Sequence, residues 1–273
     1  MAFNKRRKRF ERRNEMVSHL ANWVPRTKLG NMVLAGKISI DEIFERGIPI
    51  KEPEIIEKLL PNLKSDLILI GGSPGKGGGI RRTPTLRTAR MHRSGRRYKM
   101  TAMSVIGNGN GYVGLGVGVA NDHREAIAKS IENAKLNVIP VRRGCGSWKC
   151  RCDTGHSVPF KASGKRGSVI FTLSPAPKGA GLKVAEEIKK VMKLAGIKDI
   201  WTKIDGNSRN RRNMIFAVFE TFKVLNKMKI PFELSKIEIM KKEEPKEEVK
   251  EVPVETKKVP KEEKKGEVNE KKK

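Results

Sequence analysis

Between Gly71 and Lys99 the chain carries nine Lys/Arg and seven Gly residues, and no Asp or Glu. No ordinary core buries that much unpaired positive charge. The segment has to lie on the surface, facing a long polyanion. Directly after it, MTAMSVIGNGNGYVGLGVGVA reads as a β-hairpin. Strands over Tyr98–Ile106 and Tyr112–Val119 flank Asn108-Gly109-Asn110-Gly111, a turn composition suited to φ > 0. The charge is therefore held beside a folded element and not on a free tail. Glycines within the second strand leave room for another backbone, and an RNA backbone is the occupant expected there.

Charge elsewhere agrees. The 273 residues have a formal net charge of +29. Residues 1–240 hold 47 Lys/Arg against 20 Asp/Glu, hence +27, while the tail 241–273 has twelve Lys and ten Glu. Self-repulsion on this scale opposes compaction until a partner neutralises it, and counterion release makes nucleic acid the natural one. No run of about 18 apolar residues is present, so a membrane partner is not expected. The three cysteines are clustered, which points to a reducing cytoplasm and away from a disulfide framework.

Along the chain, residues 1–22 read as a basic arm and 23–65 as a helical extension. There Ser39 and Glu42 have capping-box spacing, Gly47 suits a helix end, and Pro53 and Pro61 bracket a second short helix. Asp66–Ile70 is a short apolar strand, followed by the basic segment as a long loop. A helix is expected from Asp122, with Ile127, Ile131 and Ala134 on one face. Residues 66–141 then form a β-β-β-α unit resembling a double-stranded-RNA-binding domain. A Cys/His-rich connector spans 142–156. Strands over Val158–Ser163 and Ser168–Ser174, a helix over Lys183–Ala195, a strand over Asp199–Ile204, a helix over Ser208–Asn226 and a last strand over Phe232–Met240 make 157–240 a β-β-α-β-α domain. The fold class is α+β with two domains. Residues 241–273, rich in Lys and Glu, read as disordered.

Few motifs carry chemistry. Gly71–Gly77 fails the phosphate-loop pattern: Ile70 stands where its first Gly belongs, and Gly77 replaces the Ser/Thr after Lys76. Gly109, Gly111 and Gly114 match a dinucleotide fingerprint, but a strand follows where a helix is required. His19, His92, His123 and His156 are scattered and no nucleophile–base set emerges, so no enzyme is expected. Cys145, Cys150, Cys152 and His156 place four potential metal ligands within twelve residues. They suit a structural zinc ion; the alternative is three reduced thiols in an RNA-contacting loop with Trp148 stacking or packing. No cofactor is otherwise required. Sparse aromatics favour structured RNA over single-strand stacking, with Trp23 and Trp201 read as core residues. The RNA-contact set is Arg26, Lys28, Arg90, Arg93, Arg96, Arg97, Lys99, Asn108, Asn110, Gly111, Arg124, Lys135, Arg142, Arg143, Lys165, Arg166, Lys178, Arg209, Arg211 and Arg212.

Several long stretches, in order, resemble one family: WVPRTKLGNMVLAGKI, EIFERGIPIKEPEIIEKLLPNL, GYVGLGVGVA, AIAKSIENAKLNVIPVRRGCGSWKC and SVIFTLSPAPKGAGLKVAEEIKKVMKLAGIKDIWTK. The family is the universal small-subunit ribosomal protein S-five (S-two in eukaryotes), in its archaeal form, and the resemblance runs from about Trp23 to Phe222. It implies a double-stranded-RNA-binding-like domain followed by the family's own second domain. It implies a cytoplasmic, ribosome-bound protein that binds small-subunit rRNA. Such a protein would line the path by which mRNA enters, beside ribosomal proteins S-three, S-four and S-eight, and influence decoding accuracy. The loop before Arg96-Arg97 corresponds to the hairpin loop reaching toward the subunit's neck, and the region around Lys165–Ser174 to the part facing S-four.

Two departures stand out. About sixteen extra residues, roughly Gly72–Arg87, interrupt the first strand and its short loop, and are expected to lie on the rRNA as an added basic loop. The family often has Gly-Lys-Ala where this chain has Gly118-Val119-Ala120, so the phosphate contact of that lysine is not carried over. Two rivals are an extra-ribosomal double-stranded-RNA-binding protein and an enzyme, since the second fold is shared with small-molecule kinases.

Overall fold

A computed structural model describes residues 23–227 except Lys76, Arg151 and Asp153. The basic arm, the last strand expected over Phe232–Met240 and the Lys/Glu tail lie outside the described residues. Three short helices open the described chain: α1 (Lys28–Leu34), α2 (Ile40–Glu45) and α3 (Pro53–Leu59). Thr27 caps α1 by accepting from Gly30 N, and Ser39 caps α2 by accepting from Glu42 N. Pro53 opens α3, where its missing N–H is no loss. Glu52 ties the approach to α1 down, accepting from Trp23 Nε1 and Arg26 N.

The first sheet is built on β5 (Gly95–Gly107) and β6 (Tyr112–Ala120), antiparallel, with β7 (Val138–Pro140) on the far side of β6. The other edge of β5 is shared. β1 (Lys64–Leu67) pairs with its end, Leu67 opposite Ser104, and β4 (Thr85–His92) pairs with its beginning, Thr85 opposite Ala102. Ile68 N donates to Met103 O between them. The two strands thus behave as halves of one edge strand, and residues 68–84 are an excursion that leaves and returns within one register step. Within it β2 (Gly71–Pro74) pairs with β3 (Ile80–Thr83) as a separate hairpin. A detour whose ends already sit side by side adds little closure entropy.

The segment expected as a long loop is therefore mostly strand. Glycine and arginine content argued for a loop, but arginines are tolerated on edge strands, and Ile80, Thr83, Thr85 and Thr88 supply β-branched positions. Thr85–Arg87, which the sequence reading grouped with the added loop, belong to β4.

Helix α4 (His123–Leu136), capped by Asp122, lies across β5 and β6. Gly114, Gly116 and Gly118 face it, and Ala126, Ser130 and Ala134 come down onto them. A Cβ on Gly116 would sit 2.0 Å from Ser130 O and 2.2 Å from Ala134 N. The backbone expected to approach these glycines was that of RNA; it is that of α4. The alternate residues Val113 and Leu115 point the other way, into a large core shared with the second half of the chain.

That half holds β8 (Ala162–Arg166), β9 (Val169–Pro175), β10 (Leu182–Lys183), α5 (Glu186–Ala195), β11 (Ile200–Asp205) and α6 (Arg211–Lys227). The sheet order is β10-β11-β9-β8, with β10 parallel to β11 and the other pairs antiparallel. Phe171, Leu173, Ile188, Met192, Ile215 and Phe222 are fully buried in the shared core. Helix α5 starts three residues later than expected because Leu182–Lys183 pair with β11; it ends at Gly196, φ +79°. Helix α6 begins at Arg211, since Asn210 accepts from Asn213 N at its start. β8 begins at Ala162 because Val158 O instead accepts from Gly146 N of the cysteine segment. Trp201, expected in the core, is 43% exposed: β11 turns Ile200 inward and Trp201 outward.

Candidate nucleic-acid interface and metal centre

Beyond Met100 the sheet narrows to β4 and β5 alone, and both strands are exposed from Arg87 to Lys99, with Gly95 partly covered. His92 pairs with Gly95 across a two-residue turn carrying Arg93, and Gly95 has φ +106°. The register puts Arg90 opposite Arg97 and Thr88 opposite Lys99 on one face of this ribbon. The other face has Met91 opposite Arg96, and the Arg87 guanidinium stacks 3.6 Å from the Tyr98 ring centroid. Like charges directly opposite destabilise a strand pair. Among the described residues no carboxylate forms an ion pair with Arg90, Arg93, Arg96, Arg97 or Lys99. The base of the ribbon is pinned by a 2.6 Å hydrogen bond between Thr85 Oγ1 and His123 Nδ1.

Other expected contact residues are distributed differently. Arg26, Lys28, Arg124, Lys165, Arg166, Lys178 and Arg209 are exposed, with Arg166 5.3 Å from the Phe216 ring centroid. Arg212 is half-buried. Lys135 is engaged with Glu57 on α3. Arg211 donates to Leu69 O at 3.0 Å and to Glu187 Oε1 at 3.2 Å. Arg142 and Arg143 are half-buried and have partners of their own. Asn110 is exposed, but the turn it belongs to serves the fold. Asn108 Oδ1 accepts from Asn110 N and Tyr112 N, while Gly109 N and Gly111 N donate to Leu194 O and Ala195 O at the end of α5. Those last carbonyls have no partner within their own helix. Tyr112 Oη donates to Asp41, and burial together with that carboxylate pushes the phenol above its usual range.

The cysteine segment forms the second site. The ligand atoms of Cys145, Cys150, Cys152 and His156 all lie within 4.8 Å of one another. Cys150 Sγ is 2.9 Å from Cys152 Sγ and 3.8 Å from His156 Nε2. The loop closes through paired hydrogen bonds between Gly144 and Ser157 and a bond from Cys150 N to Ser147 O. Trp148 stands at its tip, 91% exposed. His156 is buried, and its Nδ1 lies 2.9 Å from Asp199 Oδ2, a close contact not aligned as a linear hydrogen bond. Asp199 lies 43 residues from His156 and carries no local signal in the sequence that would place it here. Hydrogen bonds from Cys150 and Thr154 lower the Cys152 thiol to about 6, whereas burial raises Cys145 to about 11. At pH 7 the metal-free chain holds Cys152 mostly as the nucleophilic thiolate and Cys145 as the thiol. Iodoacetamide is expected to label Cys152 well before Cys145 in peptide mapping, with the Cys152 rate falling below about pH 6. Labelling in the reverse order would contradict this assignment.

Two sheets around a shared core, an exposed arginine-rich ribbon and a Cys/His cluster define a basic α+β scaffold with a charged projecting arm. A family model described as ribosomal protein S5, N-terminal domain, matches residues 85–142, beginning at the first residue of β4. A second, ribosomal protein S5, C-terminal domain, matches 164–237. The cysteine segment lies between the two matches. Among relatives, the small ribosomal subunit protein uS5 of Pyrobaculum aerophilum is 48% identical over 208 residues, 76% of this chain and 88% of its own. The uS5 proteins of Methanothermobacter thermautotrophicus and Staphylothermus marinus are 45% and 43% identical, over 78% of this chain and 93% and 92% of theirs. The chain belongs to the ribosomal protein S5 family, a family of structural and not catalytic proteins. No helix among the described residues is long and apolar enough to cross a membrane.

Proposed function

We propose that the protein is a structural constituent of the small ribosomal subunit in the cytoplasm, binding small-subunit rRNA with the β4–β5 ribbon as its principal arm. The observation that carries this is Arg90 opposite Arg97 on a ribbon whose arginines have no carboxylate partner among the described residues. In the free protein the two guanidiniums repel; phosphates between or beside them remove that repulsion and release counterions. The strand–strand–strand–helix order of the first sheet supports a double-stranded-RNA-binding-like domain, with β1 and β4 counted as one strand. The β8–α6 unit supports the family's second domain. The exposed Lys165 and Arg166 and the excursion 68–84 would add phosphate contacts. A place on the path of incoming mRNA, beside S-three, S-four and S-eight, with an influence on decoding accuracy, is the finer part of the same reading.

The test is direct. Full-length protein should sediment with small-subunit particles at physiological salt, and Arg90→Gln with Arg97→Gln should weaken binding to small-subunit rRNA. The slope of log affinity against log salt should fall by about 1 per arginine removed. An unchanged slope would overturn the ribbon's role, and a chain remaining outside the small-subunit peak would overturn the ribosomal one.

We also propose that Cys145, Cys150, Cys152 and His156 hold one structural zinc ion. Four protein ligands with no position left open suit a structural and not a catalytic site.

A further inference from the structure

Asp199 contacts two different parts of the chain at once. Its Oδ1 accepts from Gly179 N at 3.1 Å and from Gly181 N at 2.8 Å, while Oδ2 faces His156 Nδ1 at 2.9 Å. Both side chains are more than nine-tenths buried, and among the described residues His156 is the only ion-pair partner of Asp199. The far nitrogen of the same imidazole, Nε2, turns toward Cys150 Sγ within the cluster. The backbone repeats the connection: Lys198 N and Asp199 N both donate to His156 O.

The loop between β9 and β10, residues 176–181, donates three backbone hydrogen bonds into this neighbourhood, and its Gly181 O accepts from Ile200 N at 3.2 Å. Ala176 N donates to Ser157 Oγ, next to His156, at 3.2 Å. Gly179 N and Gly181 N donate to Asp199. Between the anchors the loop exposes Lys178.

We propose that Asp199 is the outer-shell carboxylate of the zinc centre, and that through it metal occupancy sets the order of the Lys178 loop. This rests on the zinc reading above. A zinc-bound histidine commonly passes its second ring N–H to a carboxylate, which fixes the tautomer and ring orientation. Here that carboxylate is held from behind by two backbone amides, so it cannot turn away without leaving them unpaired. Zinc on Nε2 requires the proton on Nδ1, and Nδ1–H is the donor that Asp199 Oδ2 awaits. With the metal gone, the imidazole is released from Cys150. Asp199 then loses its fixed partner, and Gly179 and Gly181 lose a rigid acceptor. Asp199 is thus a positioning residue; it is not a ligand.

The experiment uses the full-length protein in three forms: wild type, Asp199→Asn and Cys150→Ser. Zinc retention is titrated against a chromogenic chelator, cobalt-substituted protein is read by its visible ligand-field bands, and hydrogen exchange is followed for residues 176–181. Wild type should carry one zinc, and Cys150→Ser should lose it. Asp199→Asn should keep the same ligand set, hold zinc about 10–100-fold more weakly and shift the cobalt bands. Stripping zinc from unmutated protein should speed exchange at Gly179 and Gly181, a measurement that needs no variant to fold. If wild type carries zinc but Asp199→Asn retains it equally and stripping leaves the loop's exchange unchanged, the coupling is wrong and the zinc site stands. If wild type carries no zinc, the zinc reading falls and the coupling with it.

Discussion

Gly116→Val is expected to destabilise the protein by about 3 kcal/mol or more, a large drop in the urea midpoint. The atoms that a Cβ would meet are Ser130 O at 2.0 Å, Ala134 N at 2.2 Å and Ala134 Cα at 2.8 Å. All belong to the backbone of α4, so no side chain can rotate away; the helix itself would have to lift. Lifting it is opposed on both sides of Gly116. A Cβ on Gly114 would lie 2.2 Å from Ala134 O, and one on Gly118 would lie 2.3 Å from Ala126 O. Packing this close depends on Ala126, Ser130 and Ala134, spaced at one turn along the facing side of the helix. The control is Gly79→Val, which has open space around it and no positive φ, and should change stability by less than about 0.5 kcal/mol. Equal midpoints for the two variants would refute the account.

The second large effect is expected at Glu187. This carboxylate is buried on α5 and accepts from Leu69 N at 3.0 Å, Lys190 Nζ at 3.1 Å and Arg211 Nη1 at 3.2 Å. Lys190 Nζ and Arg211 Nη1 also donate to Leu67 O and Leu69 O. One acid therefore joins β1 and the start of the excursion to both helices of the second half. Glu187→Ala removes the shared acceptor and leaves a half-buried guanidinium and a backbone N–H without it, at a cost of about 3 kcal/mol. Adding Arg211→Met should recover part of that loss, because the stranded charge goes with it. If the two substitutions are simply additive, the network is not acting as a unit.

Arg211 also shows where reasoning from sequence stopped. A basic cluster without nearby acids in sequence points to phosphate, yet Arg211 meets an acid 24 residues away. Lys135 meets Glu57 from a helix 78 residues earlier. Charge counted along the chain cannot see a partner brought in by tertiary contact. The arginines of the ribbon differ, because the two-stranded arm extends past its sheet and, among the described residues, no carboxylate forms an ion pair with Arg90, Arg93, Arg96 or Arg97.

Local chemistry was legible. Ser39 as a cap, Gly47 at positive φ past a helix end, Pro53 opening α3 and Asp122 opening α4 are all single-residue demands on the backbone. The Cys/His spacing was legible for the same reason, since its four members lie on one short loop. Asp199 was not, and neither was the occupant of the glycine face.

By itself, then, the sequence determined most of the helices, the excess of positive charge over Gly71–Lys99 and the grouping of three cysteines and a histidine on one short segment, because each follows from residues within a few positions of one another. Only the tertiary structure decided the rest. It threads β1 and β4 along one edge of β5, lays the backbone of α4 on Gly114, Gly116 and Gly118, sets the Asn108–Gly111 turn on the end of α5, and brings Asp199 to His156. Each of these joins atoms far apart in the chain, and the common packing of both sheets around one core is what brings them together.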